Sequence, residues 1–126
     1  MAQKFISTWL RNSLTFGSYK TAGGKDLIID YIESLPIKEK AEGYYIIEQL
    51  EKEGSAALEY LNTRQIRQIR QFRGKLWEIK FFRQNRIFYV LPDQDNIYLL
   101  HACKKQKDRA ERHEVEKALA RAKEIY

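Results

Sequence analysis

Cysteine, proline and glycine are scarce in this chain, and no long apolar run interrupts it. The single cysteine, Cys103, cannot close an internal disulfide, which agrees with a reducing compartment. Two prolines and six glycines form no linker. Internal repeats and low-complexity segments are lacking too, so a single domain over residues 1–126 is expected. No apolar run approaches the ~18 residues of a membrane-spanning helix, and the N-terminus lacks the basic, apolar, then small-residue order of a secretory signal. A cytoplasmic protein with no membrane partner is expected. His101 and Cys103 supply only an H-x-C pair, short of the three or four ligands of a zinc site, so neither a metal nor another cofactor is expected.

What the chain has instead is concentrated positive charge. Between Arg64 and Arg86 stand eight basic residues and one acidic one, which accounts for the whole formal net charge of +6. Elsewhere the signs nearly cancel, with seven basic against nine acidic residues before this stretch and eight against seven after it. Surface charge that only solubilises mixes both signs; Arg64, Arg67, Arg70, Arg73 and Lys75 have almost no acidic residues among them. A polyanion-binding surface is therefore the first expectation.

The hydrophobic pattern predicts an α+β fold. Leu14 to Tyr19 alternates weakly as a first strand, Gly23-Gly24 turns the chain, and Asp26 caps a short helix from Leu27 to Ser34 with Pro36 past its end. Ala41, Tyr44, Ile47 and Leu50 recur at helical spacing between Ile37 and Gly54. A helical turn is expected over Ala56 to Leu61, while Thr63 to Arg73 repeats every three positions and suits neither helix nor strand. After Gly74 the period becomes two, giving strands Leu76 to Phe82, Arg86 to Leu91 and Ile97 to Cys103. A final helix starts near Asp108 with Val115, Ala118, Leu119, Ala122 and Ile125 on one face.

Directly opposed residues of a hairpin point to the same face, so segregation of side chains fixes the register. A three-residue loop Arg83-Gln84-Asn85 pairs Phe82 with Arg86 and Lys80 with Phe88. Trp77, Ile79, Phe81, Ile87, Tyr89 and Leu91 then share an apolar face, and Glu78, Lys80, Phe82, Arg86, Phe88 and Val90 share the other. The alternation assigns Trp77, Phe81 and Tyr89 to core packing rather than to base stacking, and Tyr44 and Tyr45 are read the same way.

Lys80, Arg86, His101, Lys104 and Lys105 lie on or at the ends of adjacent strands. Internal cleavage of RNA requires a base for the 2′-OH proton, cations for the charge that grows on phosphorus-bound oxygens, and an acid for the 5′-oxygen. Clustered Lys and Arg supply the cations and, through mutual repulsion, a lysine base; a histidine with an ordinary pKa near ~6.5 suits proton transfer. The alternative for His101 is a sheet residue held by a hydrogen bond. His113, in Glu111-Arg112-His113-Glu114, reads as a solvated surface residue.

Asp30-Tyr31-Ile32-Glu33-Ser34-Leu35-Pro36, Gly74-Lys75-Leu76-Trp77-Glu78-Ile79-Lys80-Phe81, Arg86-Ile87-Phe88-Tyr89, Leu99-Leu100-His101 and Lys104-Lys105 together resemble the phage-derived Gp49-like, HigB-type toxins of the RelE/ParE superfamily of type II toxin-antitoxin systems. The resemblance covers residues 26 to 126. It implies a RelE-like domain, an antiparallel β-sheet with N-terminal helices on one face and a C-terminal helix. It also implies a metal-independent, ribosome-dependent mRNA endoribonuclease that blocks translation, with the ribosome and mRNA as partners. A cognate antitoxin, commonly a helix-turn-helix protein, would neutralise it in a hetero-oligomer.

By the same resemblance, Lys80 matches a strand lysine of RelE-like members, Arg86 the arginine that opens the next strand, Lys105 the basic residue after the last strand, and His101 a strand-end histidine common in Gp49-like sequences. These four are the expected catalytic residues, with Arg73, Lys75, Arg83, Lys104 and Lys107 on the RNA backbone. Two features depart from the RelE pattern. Glu78 stands where that branch often has a basic residue, and the final helix has no early tyrosine, which leaves Lys80 and His101 as competing general bases. Loss of Arg86 is expected to abolish toxicity without unfolding the protein. The rival readings are a ParE-like toxin that binds DNA gyrase without catalysis, and a plain RNA-binding module.

Overall fold

Asp26 caps the first helix, as its position before the apolar Leu27-Ile28-Ile29 run predicts. Its Oδ1 accepts the backbone N–H groups of Ile28 and Ile29, both at 3.0 Å, and its Oδ2 accepts the Ser18 hydroxyl at 2.7 Å. Two N–H groups without intrahelical partners are thus satisfied, and the helix is tied to the strand before it. The strand is β1, Phe16–Ser18, and the helix is α1, Leu27–Glu33. Helix α2, Ile37–Glu53, ends at Gly54, whose φ of 59° an L side chain would strain. A 3-10 helix, Gly54–Glu59, is followed by β2 (Ile66–Ile69), β3 (Leu76–Phe81), β4 (Asn85–Val90), β5 (Ile97–Lys104) and helix α3 (Asp108–Ala122). The computed structural model describes residues 16–59, 66–69, 76–82, 84–92 and 96–125.

The strands form one sheet in the order β1-β5-β4-β3-β2. Strands β2 to β5 are antiparallel, but β1 lies parallel to β5, so the sheet is mixed rather than wholly antiparallel. The ambiguous stretch around Arg67 supplies the edge strand β2, where pairing to β3 decides what period alone does not.

Both faces of the sheet are covered. Helices α1 and α2 bury Ile28, Ile32, Ile46 and Leu50 against Ile79, Phe81, Ile87 and Tyr89. On the opposite face, α3 buries Val115, Ala118 and Ala122 against Leu76, Phe88, Val90 and Leu100. The buried stripe of α2 turns to Gly43, Ile46, Ile47 and Leu50; Tyr44 packs half-buried against this core as expected, whereas Ala41 is exposed and Tyr45 is 52% exposed, contrary to its reading as core. Gly43 makes that rotation possible. A Cβ there would stand 3.0 Å from Ile32 Cγ2 and 3.3 Å from Phe81 Cε2, so only a glycine lets α2 come this close to α1 and the sheet.

The hairpin register is displaced from the expected one. Lys80 pairs with Arg86 and Phe81 with Asn85, so the loop is Phe82 to Gln84 and Asn85 belongs to β4. A shift of two residues preserves the faces, so the predicted segregation holds. The cause is visible at Asn85, which is fully buried. Its Oδ1 accepts the Tyr31 hydroxyl at 2.6 Å and its Nδ2 donates to Glu39 Oε1 at 2.7 Å. A buried amide satisfied at both ends from α1 and α2 outweighs the preference of asparagine for turns.

Candidate active site

The register sets Lys80, Arg86 and Cys103 side by side across β3, β4 and β5, with Glu78, Phe88 and His101 forming the next row on the same face. Between Phe88 and Tyr89 the β4–β5 register slips by one residue, which leaves Leu100 as the extra residue on β5. Such a bulge re-aims neighbouring side chains. Here Leu100 packs into the cluster under α3, and His101 meets Glu114 and Arg121 of that helix.

Arg86 is the largest fully buried side chain among the described residues. Its Nε and Nη2 donate to Glu78 Oε2 at 2.8 and 2.7 Å, while Nη1 and Nη2 reach the two oxygens of Glu111 at 2.5 and 3.3 Å. Burial disfavours the cation, but the Glu111 hydrogen bond and the Glu78 charge outweigh it and hold the guanidinium more firmly protonated than usual. Lys80 Nζ stands 4.0 Å from Glu78 Oε1 with its side chain 28% exposed, so the two cations balance the two carboxylates, and Lys80 and Glu111 are the members that reach solvent. The Arg86 guanidinium also lies 5.0 Å over the Phe88 ring.

His101 is engaged at both ring nitrogens. Arg121 carries only donors, so its Nη1 at 3.2 Å from Nδ1 requires Nδ1 to accept, and Nε2 then carries the proton given to Glu114 Oε1 at 2.5 Å. Burial, with the nearby Arg121 charge, pushes the histidine pKa below its ordinary 6.5 despite Glu114. Although partial burial opposes it, the His101 hydrogen bond holds the Glu114 carboxyl below its ordinary range. The pair is a neutral imidazole donating to a carboxylate. Cys103 lies beside it as a thiol, pushed up to about 12 chiefly by burial.

His101, Cys103 and Glu114 place ligand atoms within 4.8 Å of one another, a closer grouping than H-x-C alone gives. A metal on Nε2 would require Nδ1 to hold a proton, and that proton would point at the Arg121 guanidinium. The donors are thus arranged as a hydrogen-bonded network that a metal would have to break.

Of the remaining expected residues, Lys104, Lys105 and Lys107 gather at one end of the sheet. Lys105 N–H donates to Gln84 O at 2.6 Å, which draws the start of the β5–α3 connection against the hairpin loop, and Lys104 pairs with Asn85. Lys104, Lys105 and Lys107 are all exposed there. Arg73, Lys75 and Arg83 lie outside the described residues, as do Arg64 and Arg70. The site residues that sequence reasoning missed are acidic or helical: Glu78, Glu111, Glu114 and Arg121. The i, i+3 spacing of Glu111 and Glu114 on a helix with an apolar face was the available signal, since it aims two carboxylates at one side.

The molecule is thus a small α+β domain with exposed lysines at one end of its sheet and a charged cluster under its C-terminal helix. A family model described as phage-derived protein Gp49-like (DUF891) matches residues 30–123, and the chain belongs to that family, which is associated with RelE/HigB-type toxins of toxin-antitoxin systems. No curated protein is similar enough to the chain to count as a relative. No helix among the described residues is long and apolar enough to cross a membrane.

Proposed function

We propose that this toxin-family protein is a ribosome-dependent, metal-independent mRNA endoribonuclease that blocks translation and is neutralised by a cognate antitoxin. The observation that carries the reading is the alignment of Lys80 beside Arg86 at the same sheet end to which the Lys105–Gln84 hydrogen bond draws the exposed lysines. RNA backbone would lie over Lys104 and Lys107, with Arg73, Lys75 and Arg83 of the same basic run contributing.

In the reaction, the 2′-oxygen gives up its proton, attacks the adjacent phosphorus and displaces the 5′-oxygen, which takes a proton. Lys105 would stabilise the charge on the non-bridging oxygens, and Arg86, fully buried and paired with Glu78 and Glu111, would do so once one of those carboxylates gives way. Of the two competing bases, Lys80 is favoured, since its side chain reaches solvent while both nitrogens of His101 are engaged within the fold; its ammonium, paired with Glu78 in the free protein, would have to shed a proton before it could act. His101 would then hold Glu114, and with it α3, against the sheet.

The pairing of Arg86 with Glu78 and Glu111, and of His101 with Glu114 and Arg121, within the fold is equally compatible with a toxin acting by binding alone, on gyrase or on RNA. Purified protein incubated with mRNA, with and without ribosomes, separates the readings. Cleavage that requires ribosomes and is lost in Lys80→Ala and Lys105→Ala supports the nuclease; RNA bound but intact on ribosomes rules it out.

A further inference from the structure

We propose that the Glu111 carboxylate occupies an oxyanion site on Arg86, and that a phosphodiester takes this place when nucleic acid binds. The inference rests on the reading of the basic sheet end as an RNA-binding surface, and adds to it an internal competitor.

Arg86 is gripped from two sides that differ in kind. Glu78 comes from the neighbouring strand, is fully buried, and meets Nε and Nη2 with a single oxygen. Glu111 comes from the first turn of α3, is 31% exposed, and meets the two terminal nitrogens with both oxygens. The second arrangement is the fork by which arginine receives carboxylate or phosphate alike. A phosphodiester offers two non-bridging oxygens and one negative charge, so its exchange for Glu111 leaves the balance among Glu78, Lys80 and Arg86 unchanged. The displaced carboxylate needs no buried home, because Glu111 already borders solvent.

The position fits a strand of RNA. Arg86 pairs with Lys80, and the next residue pair of β3 and β4, Phe81 and Asn85, leads to the loop that Lys105 holds at Gln84. Lys104, paired with Asn85, belongs to the opposite face, so a backbone held by the exposed Lys105 would run past Lys80, where Glu111 occupies Arg86. Glu111 thereby sets the affinity of the site: it keeps the buried guanidinium paired when no nucleic acid is present and yields only to an oxyanion that other cations also hold.

The test is binding of a 2′-O-methyl RNA oligonucleotide, which cannot be cleaved, so that failure of catalysis and failure of this proposal are separately visible. Glu111→Gln removes the charge and keeps the shape. The expected result is an affinity at least about tenfold higher than that of the parent, the worth of one hydrogen bond between charged groups, with the Arg86 Nε–H resonance moving during the titration. Asp108→Asn removes an equally negative, exposed side chain from the same helical turn and serves as the control for net charge alone. Thermal melting of both variants checks folding, and Glu111→Asp, which keeps the charge on a shorter arm, provides a second, graded variant. Equal gains in Glu111→Gln and Asp108→Asn, or an Arg86 resonance that does not move, would overturn the proposal and leave Arg86 as part of a closed ion-pair network.

Discussion

His101 and Glu114 share a hydrogen bond of 2.5 Å that joins β5 to α3, with the proton on the histidine because Arg121 occupies its other nitrogen. This bond makes stability depend on pH in a definable way. His101 has a folded pKa below its ordinary 6.5, so the unfolded chain binds more protons as pH falls through that value, and stability, complete above it, declines from there. Glu114, held below its ordinary 4.5, contributes stability present above that value and lost as pH falls through its lower folded pKa. Urea denaturation across the pH range should therefore show a first decline beginning near 6.5 and a second below 4.5. His101→Gln should remove the first. Parent stability unchanged between about pH 7.5 and 5.5 would contradict this assignment.

Arg86→Ala should destabilise the protein severely, against the expectation drawn from the sequence that it would leave the fold intact. The substitution strands Glu78, fully buried, and Glu111 without their shared cation. Removing one partner of a buried ion pair costs about 3–5 kcal/mol, a large part of a small domain's stability. Chemical denaturation reads this directly, and a midpoint equal to the parent's would show that the network is not held as described.

Asn85→Ala should cost about 2 kcal/mol, since Tyr31 and Glu39 both lose a partner in a site withdrawn from water. Amide hydrogen exchange should quicken at the β3–β4 loop before it quickens in the strand centres. Uniform quickening would mean that Asn85 does not fix the register.

Gly43→Ala sets helix propensity against packing. Alanine gains about 1 kcal/mol in a helix interior, while overpacking costs about 1–3. The new Cβ would press on Ile32 and Phe81, which are 0% and 1% exposed and have no open side to move into. The melting temperature should fall, and a rise would show that the core yields there.

The elements of this fold were largely legible because each has a local cause: Asp26 as cap, Pro36 and Gly54 as stops, period-two alternation from Leu76. The faces of the hairpin were legible for the same reason. Its register was not, because it depends on Asn85 being claimed by Tyr31 and Glu39, 54 and 46 residues away in sequence. The parallel placement of β1 likewise arises from pairing with a distant strand. At the candidate site, the basic residues stood out as a run of one charge. Their partners Glu111 and Glu114 did not, since on a charged helix they look like any solvated carboxylates until α3 is laid on the sheet.

Cleavage of mRNA on the ribosome would be read by mapping mRNA 5′ ends after pulsed expression. The control is Lys80→Ala at equal abundance, chosen because Lys80 is partly exposed whereas Arg86 is built into the core. New 5′ ends are expected within translated codons, absent from untranslated RNA and from the control. Growth arrest with intact mRNA would contradict such cleavage.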